Sequence, residues 1–190
     1  MSDPFAGLPR HHYGAILADP PWSFRSWSGK TGTAHRTSND HYITRSFDEL
    51  CLFPVVTLGA KDCALFLWVV DSHLEIAMRL GRAWGFEFKT RGFTWRKLTS
   101  KGNPMIGMGY WTRKQTELCL IFTRGKPKVL NHDVRELIDA PRREHSRKPD
   151  EIYPRIERLV AGPYLDLFAR SRRDGWSSWG NETDRFPAVP

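Results

Sequence analysis

The chain has 190 residues and a formal net charge of +8, from 29 Lys and Arg against 21 Asp and Glu. Its length predicts one domain with a sizeable core, and its 40% hydrophobic and 13% aromatic content excludes a disordered or low-complexity chain. The positive charge, together with eight tryptophans, indicates an anionic partner.

Neither a membrane segment nor a metal site is predicted. The longest apolar run, Cys63 to Val70, is far shorter than the roughly 20 residues of a membrane-spanning helix, and the opening residues MSDP do not resemble a signal peptide. The three cysteines form no CxxC pair, and the seven histidines show neither HxxxH nor HExxH spacing. We therefore expect a cytoplasmic protein without membrane contact, metal ion or disulfide, in which the cysteines are small core residues.

The first predicted element is a buried strand over residues 13–18, followed by Asp19, Pro20, Pro21 and Trp22. Two consecutive prolines continue neither a strand ladder nor a helix, so the strand ends there with Asp19 at its carboxyl end. Residues 23–45 are polar and basic and show no hydrophobic period. They predict a long loop, which in a compact domain is usually functional or disordered.

Downstream, strand and helix patterns alternate, which predicts an α/β domain with a mainly parallel sheet. Residues 97–114 are a second basic loop, rich in glycine. The helix that begins near Pro149 contains Pro154, which favours a slightly later start. The predicted elements are a short helix from a capping box at Ser46, a strand over 63–70, a helix ending at Gly81 or Gly85, strands over 86–95, 117–123 and 134–138, the helix near Pro149, and strands over 164–168 and 176–179.

Ligands of open α/β sheets bind beyond the carboxyl ends of the strands, where Asp19 is expected. One interpretation is structural: Asp19 forms a turn, the prolines end the strand and Trp22 fills the core. The other is functional. The proline carbonyls and the Asp19 carboxylate accept hydrogen bonds and Trp22 offers a flat face, so together they could hold an exocyclic amine while its ring stacks.

The Asp-Pro-Pro-Trp sequence resembles the signature of methyltransferases that act on the amino group of adenine. Four further stretches resemble one branch of them, the MT-A70 family: residues 109–117 (GYWTRKQTE), 145–153 (HSRKPDEIY), 167–170 (LFAR) and 179–182 (WGNE). The resemblance covers residues 13–182 in order. It implies one Rossmann-like α/β domain over residues 1–190, with a core of about 13–182 and a mainly parallel sheet. It also implies S-adenosylmethionine as cofactor and a permuted order, with the catalytic motif before the main cofactor-binding block.

The resemblance implies roles for individual residues. The catalytic residues are Asp19, Pro20, Pro21 and Trp22. The residues that bind the cofactor are Asp19, Lys148, Phe168, Arg170, Asn181 and Glu182. Among these, Lys148 lies near the cofactor carboxylate and Arg170 at the ribose side, while Asn181 and Glu182 bind the adenosine and the ribose hydroxyls.

The loops 23–45 and 96–114 flank the catalytic strand end and are the candidates for nucleic-acid contact; ordinary solvated loops are the alternative. The candidate substrate-binding residues are Trp22 and Tyr42, which would stack on the base, and Lys30, Arg36, Arg113 and Lys114, which would neutralise phosphates.

The resemblance implies site-specific methylation of adenine N6. We expect DNA as the substrate, because a compact chain without extra RNA-binding modules resembles the bacterial and phage branch of the family. Methylation of adenine in RNA, methylation of a cytosine amine and a catalytically silent nucleic-acid-binding relative stay open, as does a dimer or a partner subunit.

Overall fold

The computed structural model describes residues 3–22, 44–109, 111–144 and 147–188. These residues form one seven-stranded sheet flanked by a few short helices, which confirms the predicted α/β class. The strands are β1 (Tyr13–Ala18), β2 (Gly59–Val69), β3 (Glu87–Leu98), β4 (Thr116–Arg124), β5 (Leu137–Pro141), β6 (Tyr164–Leu167) and β7 (Trp176–Trp179). The helices are α1 (Phe47–Cys51), α2 (Leu74–Ala83) and α3 (Ile152–Leu159), with 3-10 turns at Val55–Thr57 and Asp71–His73.

The strand order across the sheet is β5-β3-β4-β2-β1-β6-β7. The pairs β1–β2, β1–β6, β6–β7 and β3–β5 are parallel, whereas β4 runs antiparallel to both of its neighbours. The sheet is therefore mainly parallel, as predicted. One edge collects the carboxyl ends of β1, β2, β6 and β7 together with the first residues of β4, and this edge holds the site.

Strand β1 is central because its residues are apolar on both faces. Ala15, Ile16, Leu17 and Ala18 are all buried, and Leu17 lies between Phe66 of β2 and Asp166 of β6 in the ladder. A continuous apolar run is typical of a parallel strand with both faces covered. Asp19, the residue after β1, therefore lies at the edge of the sheet between β2 and β6.

Each face of the sheet packs a separate core. One core contains Leu65 and Leu67 of β2 with Leu80 of α2 and Trp84. The other contains the alternate β2 residues Phe66 and Trp68, with Ile152 and Ile156 of α3 and Trp176 of β7. Alternation along β2 thus distributes its side chains to the two helical layers.

Two strands begin three or more residues from their predicted starts, and β3 continues to Leu98, so the first residues of the predicted 96–114 loop belong to the sheet, where they pair with β4 and β5. β2 begins at Gly59 instead of residue 63, because Gly59, its first residue, pairs with Tyr13 of β1. The sequence pattern missed this start because Lys61 and Asp62 are exposed and interrupt the apolar run. β5 covers residues 137–141 instead of 134–138, since its pairing with β3 begins at Leu137. Both differences arise from pairing between distant segments, which local hydrophobicity does not encode.

The helix signals were more accurate. The Ser46 hydroxyl accepts a hydrogen bond from the Glu49 amide at 3.3 Å, and the Glu49 carboxylate accepts one from the Ser46 amide at 2.7 Å, so the capping box is formed. Helix α3 begins at Ile152, and Pro154 lies in its first turn, where no intrahelical N–H bond is required.

Cys63 and Cys119 are buried and all three cysteines are free thiols. None of the helices described is long and apolar enough to span a membrane.

Candidate active site

Asp19 stands at the point where three strands end. It follows β1 directly, its amide donates to the carbonyl of Leu167 at the end of β6 at 3.4 Å, and β2 ends on the other side of β1. Its side chain is largely shielded, with 18% of its surface exposed. The sheet topology therefore places this carboxylate where an open α/β sheet binds its ligands.

The Asp19 carboxylate faces the ammonium of Lys148, which a second carboxylate also contacts. Lys148 Nζ lies 2.9 Å from Asp19 Oδ2 and 2.8 Å from Glu117 Oε1. The other oxygen of Glu117 lies 2.7 Å from Lys97 Nζ. The four side chains form an alternating chain of charges along the site edge.

Burial and pairing act in opposite directions on these groups. Burial alone raises the pKa of Glu117, but Lys148 and Lys97 outweigh it and hold that pKa below its ordinary value. Burial alone lowers the pKa of Lys148, but Asp19 and Glu117 raise it above its ordinary value. The Lys148–Glu117 pair is therefore ionised at neutral pH, although both groups are buried.

Sequence reasoning did not single out Glu117. It immediately precedes the apolar residues 118–122 of β4, and its only signal was its place at the end of the 109–117 stretch. An acid in a run of buried strand residues indicates a buried charge partner, because an unpaired buried carboxylate is costly. That partner, Lys148, is 31 positions further along the chain and could not be identified from spacing.

Arg143, which follows β5, fixes the backbone around Lys148. Its guanidinium donates to the Lys148 carbonyl at 2.6 Å and to the two oxygens of Asp150 at 2.6 and 2.9 Å. The Asp150 pair raises the pKa of Arg143 above its ordinary value. Arg143 therefore clamps the Lys148 carbonyl together with the Asp150 carboxylate two residues later, a role that its sequence context did not indicate.

A cavity of about 250 Å³ opens beside Asp19. Arg170 lies between two acidic residues of the cavity wall: its Nη2 is 3.8 Å from Asp19 Oδ2 and its Nε is 3.7 Å from Glu182 Oε2. The predicted cofactor residues in its wall are Asp19, Phe168, Arg170, Asn181 and Glu182, beside Pro21, Arg45, Ala169 and Trp179. A smaller cavity of about 40 Å³ joins Asp19, Phe168 and Arg170 to Lys148. The structure thus brings all six predicted cofactor residues together.

The backbone that lines this cavity is tightly constrained. Phe168 has a φ of 63°, which is uncommon for a residue with a bulky side chain. A Cβ on Gly180 would lie 2.9 Å from the Ala169 carbonyl oxygen, so only glycine lets the segment after β7 approach the segment after β6 this closely. Strain and close approach at strand ends are typical of ligand sites.

A second buried carboxylate lies behind the site. The Tyr153 hydroxyl donates to Asp166 Oδ2 at 2.7 Å, and both residues line the smaller cavity with Asp19. Burial, with a further contribution from Asp19, raises the pKa of Asp166 to about 7, although the bond from Tyr153 opposes the shift. Asp166 therefore changes its protonation near neutral pH.

The Asp-Pro-Pro-Trp segment forms a tight turn. The Trp22 amide donates to the Pro20 carbonyl at 2.8 Å and the Arg45 amide to the Pro21 carbonyl at 2.9 Å, so each carbonyl already accepts one bond and keeps one lone pair. Trp22 is only 5% exposed, and its indole N–H donates to the Trp68 carbonyl at 3.2 Å. This packing matches the structural interpretation of Trp22; its stacking on a base stays a prediction.

The candidate substrate-binding residues are only partly described. Lys30, Arg36 and Tyr42 lie outside the described residues. Arg113 is exposed, whereas Lys114 Nζ lies 2.7 Å from Asp71 Oδ2, in the turn that follows β2. The second basic loop is thus tied to the site edge by Lys114.

A mainly parallel sheet with a polar cavity at its carboxyl edge has the ligand-binding arrangement of a Rossmann-like fold, the class expected of a Rossmann-like methyltransferase. The sequence model of the MT-A70 family matches residues 13–182, and the chain belongs to that family.

Similar proteins are methyltransferases by name. The chain is 32% identical over 198 residues to the Type II methyltransferase M.MunI of Mycoplasma sp, covering 96% of this chain and 82% of that protein. It is 32% identical to a probable N(6)-adenosine-methyltransferase MT-A70-like protein of Oryza sativa subsp. japonica, and 30% identical to the N(6)-adenosine-methyltransferase catalytic subunit METTL3 of Homo sapiens. Each of these two matches covers 90% of this chain, but it spans only 23% of the rice protein and 28% of the human protein.

Proposed function

We propose that the protein transfers a methyl group from S-adenosylmethionine to the exocyclic N6 amine of adenine at specific sites in DNA. The observation that carries the proposal is the position of Asp19, which lies in the wall of the 250 Å³ cavity and contacts Lys148. A carboxylate there can face both a bound cofactor and an amine brought to the turn at Pro20 and Pro21.

The residues around the cavity fit the chemistry of the cofactor. S-adenosylmethionine, when bound, supplies an electrophilic methyl group on a sulfonium sulfur. Lys148 suits its carboxylate and Asp19 its ammonium group. Glu182 suits the ribose diol, with Asn181 and Arg170 beside it on the same wall. Cations and acids alternate along the two cavities that meet at Asp19, as a ligand with charges of both signs requires.

The adenine amine is a weak nucleophile because its lone pair is delocalised into the ring. Asp19 and the free lone pair of the Pro20 carbonyl would each accept a hydrogen bond from one of the two amine N–H groups, which brings the nitrogen toward sp³ character and aims its lone pair. Catalysis is then mainly orientation and electrostatic stabilisation. The turn that fixes Pro20 through the Trp22 amide keeps this acceptor in place.

DNA is the preferred substrate because the chain spans 82% of a relative that is named as a Type II methyltransferase. RNA is the second candidate, supported by the names of the rice and human relatives. The net charge of +8 favours either polymer and predicts binding that weakens steeply with salt. The complete set Asp19, Lys148 and Arg170 favours an active enzyme over a silent binding module.

The decisive experiment is mass spectrometry of nucleosides after incubation of the protein and S-adenosylmethionine with mixed DNA and RNA. We expect N6-methylated deoxyadenosine. Methylated adenosine in RNA alone would move the proposal to the second candidate, and a methylated cytosine would contradict both. Absence of S-adenosylmethionine binding in isothermal titration would indicate a silent module.

The role of Asp19 is tested at saturating cofactor. Asp19→Ala should lower kcat at least about 100-fold, because it removes a hydrogen-bond acceptor from the amine at the reacting centre. Asp133→Ala is the matched control, since its carboxylate pairs with Arg158 on the exposed surface. Near wild-type methyl transfer by Asp19→Ala would refute the assignment.

A further inference from the structure

The loop between β3 and β4 presents three large apolar side chains to solvent. Ile106 is 71% exposed, Met108 88% and Trp111 92%, and the last two are the most exposed large hydrophobic residues in the described part of the chain. They lie within six consecutive positions, and we call Ile106, Met108 and Trp111 together the apolar tip. An exposed apolar cluster of this kind marks an interaction surface.

Hydrogen bonds fix the base of the apolar tip. The Met105 amide donates to the Lys97 carbonyl, the Lys97 amide to the Gln115 carbonyl, and the Gly107 amide to the Lys114 carbonyl, each at 2.8 Å. A Cβ on Gly109 would lie 1.9 Å from the Thr112 carbonyl oxygen, so the turn requires glycine there. The hydrogen-bonded loop backbone therefore fixes the positions from which Met108 and Trp111 project, which lowers the entropy cost of inserting them into a partner.

The tip lies at the same edge of the sheet as Asp19. Trp111 precedes Glu117, the buried partner of Lys148, by six residues, so their Cα atoms are at most about 20 Å apart. The Lys114–Asp71 ion pair ties the loop to the turn after β2.

The charge around the tip favours a nucleic acid. No acidic residue occurs from position 88 to 116, and the loop contains Lys101, Arg113 and Lys114. Lys101 and Arg113 are both exposed, so their charged ends can reach phosphates. Apolar side chains flanked by cations complement a base stack bordered by phosphates.

We propose that Met108 and Trp111 enter the base stack of duplex DNA and occupy the space next to the extruded target adenine. The proposal rests on the proposed function, since an adenine within a duplex must leave the stack to reach Asp19. Methionine and other apolar wedges unstack neighbouring bases, and an aromatic ring replaces part of the lost stacking. The tip thus acts on duplex DNA and is not needed once the base is already free.

The test compares a duplex with its own single strand. The substrate is an oligonucleotide that contains an adenine methylated by the wild-type protein, identified by sequencing genomic DNA after treatment. The Met108→Ala/Trp111→Ala variant should methylate the duplex at least 10-fold more slowly and the single strand within 2-fold of wild type. Trp111→Phe should retain most of the duplex activity, and Leu130→Ala, an exposed apolar residue in another loop, should retain all of it.

If the double variant lost the same methylation rate on the duplex and on the single strand, or lost none on either, the proposed insertion into the base stack would be overturned. A dimeric wild type that the double variant converts to a monomer in sedimentation would identify the tip as an interface between copies, and would also overturn it.

A fluorescence measurement that needs no methyl transfer tests the insertion of Met108 and Trp111 separately from the proposed function. A duplex with 2-aminopurine in place of adenines should brighten on binding the wild type and stay dim with the double variant at equal occupancy. Lack of methylation by the wild type would contradict the proposed function alone, whereas brightening by the double variant equal to that of the wild type would contradict the wedge.

Discussion

Lys148 Nζ lies 2.9 Å from Asp19 Oδ2, although the two residues are 129 positions apart in the chain. The contact joins the first strand to the segment before α3. It also joins the two proposed functions of the site, because Asp19 faces the amine and Lys148 the cofactor carboxylate. The ammonium is therefore the shared element of a single charged centre.

Glu117 is the second carboxylate on this ammonium, and its removal should destabilise the fold. Glu117→Gln leaves Lys97 without its carboxylate and Lys148 with Asp19 alone, and breaking a buried pair costs on the order of 3 kcal/mol. Chemical denaturation measures the change in unfolding free energy. The matched control is Glu136→Gln, whose pair with Arg91 is exposed and should contribute less than about 1 kcal/mol. Equal losses in both variants would contradict the buried pair.

Arg143 should affect cofactor binding without taking part in chemistry. Arg143→Lys removes the fork that holds Asp150 and the Lys148 carbonyl, so Lys148 loses its fixed position. Loss of hydrogen bonds of this kind predicts about a 10-fold higher KM for S-adenosylmethionine, with kcat within about 2-fold of wild type. Arg158→Lys, in an exposed pair with Asp133, is the control. A fall in kcat at unchanged KM would assign Arg143 a different role.

Asp166 should make stability depend on pH. Its pKa is about 7 in the folded chain against an ordinary value of 3.8, so between about pH 4 and pH 7 the folded state binds the extra proton. The contribution of Asp166 to stability is therefore complete below pH 4 and is lost as pH rises through 7. Relative to wild type, Asp166→Asn should gain up to about 4 kcal/mol in unfolding free energy between pH 4 and pH 8.

The control for this experiment has the opposite sign. The hydrogen bond from Arg96 holds the pKa of Asp139 below its ordinary value, so its contribution to stability is present at neutral pH and lost as pH falls. Asp139→Asn should therefore lose stability relative to wild type as pH rises. Parallel pH profiles for Asp166→Asn and wild type would show that Asp166 titrates normally.

Local sequence features predicted the elements that local forces determine. The apolar run before Asp19, the capping box at Ser46 and the motif stretches around Lys148 and Arg170 each lie where the patterns placed them. The antiparallel direction of β4 was not predictable, since no pattern within a strand specifies its neighbours.

The same limit applies to the site. Residues of the proposed cofactor set were recognisable because their motifs occur as contiguous stretches. Glu117, Arg143 and Asp166 are important through partners 31, 5 and 13 positions away, which become neighbours only in the folded sheet. Whether a buried charge is stable depends on the partner that compensates its desolvation, and that partner is set by the tertiary structure.

The contact between Trp179 and the first described residues has a consequence for the order of the motifs. The Trp179 indole donates to the Pro4 carbonyl at 2.9 Å, and the Phe5 and Trp179 rings lie 4.8 Å apart, so segments 175 positions apart are side by side. A linker from the residues after Glu182 to those before Pro4, with the chain opened in another loop, would preserve every strand neighbour. Connectivity is thus separable from architecture in this sheet, and a circularly permuted gene that places the Lys148 segment before Asp19 should encode the same catalytic edge.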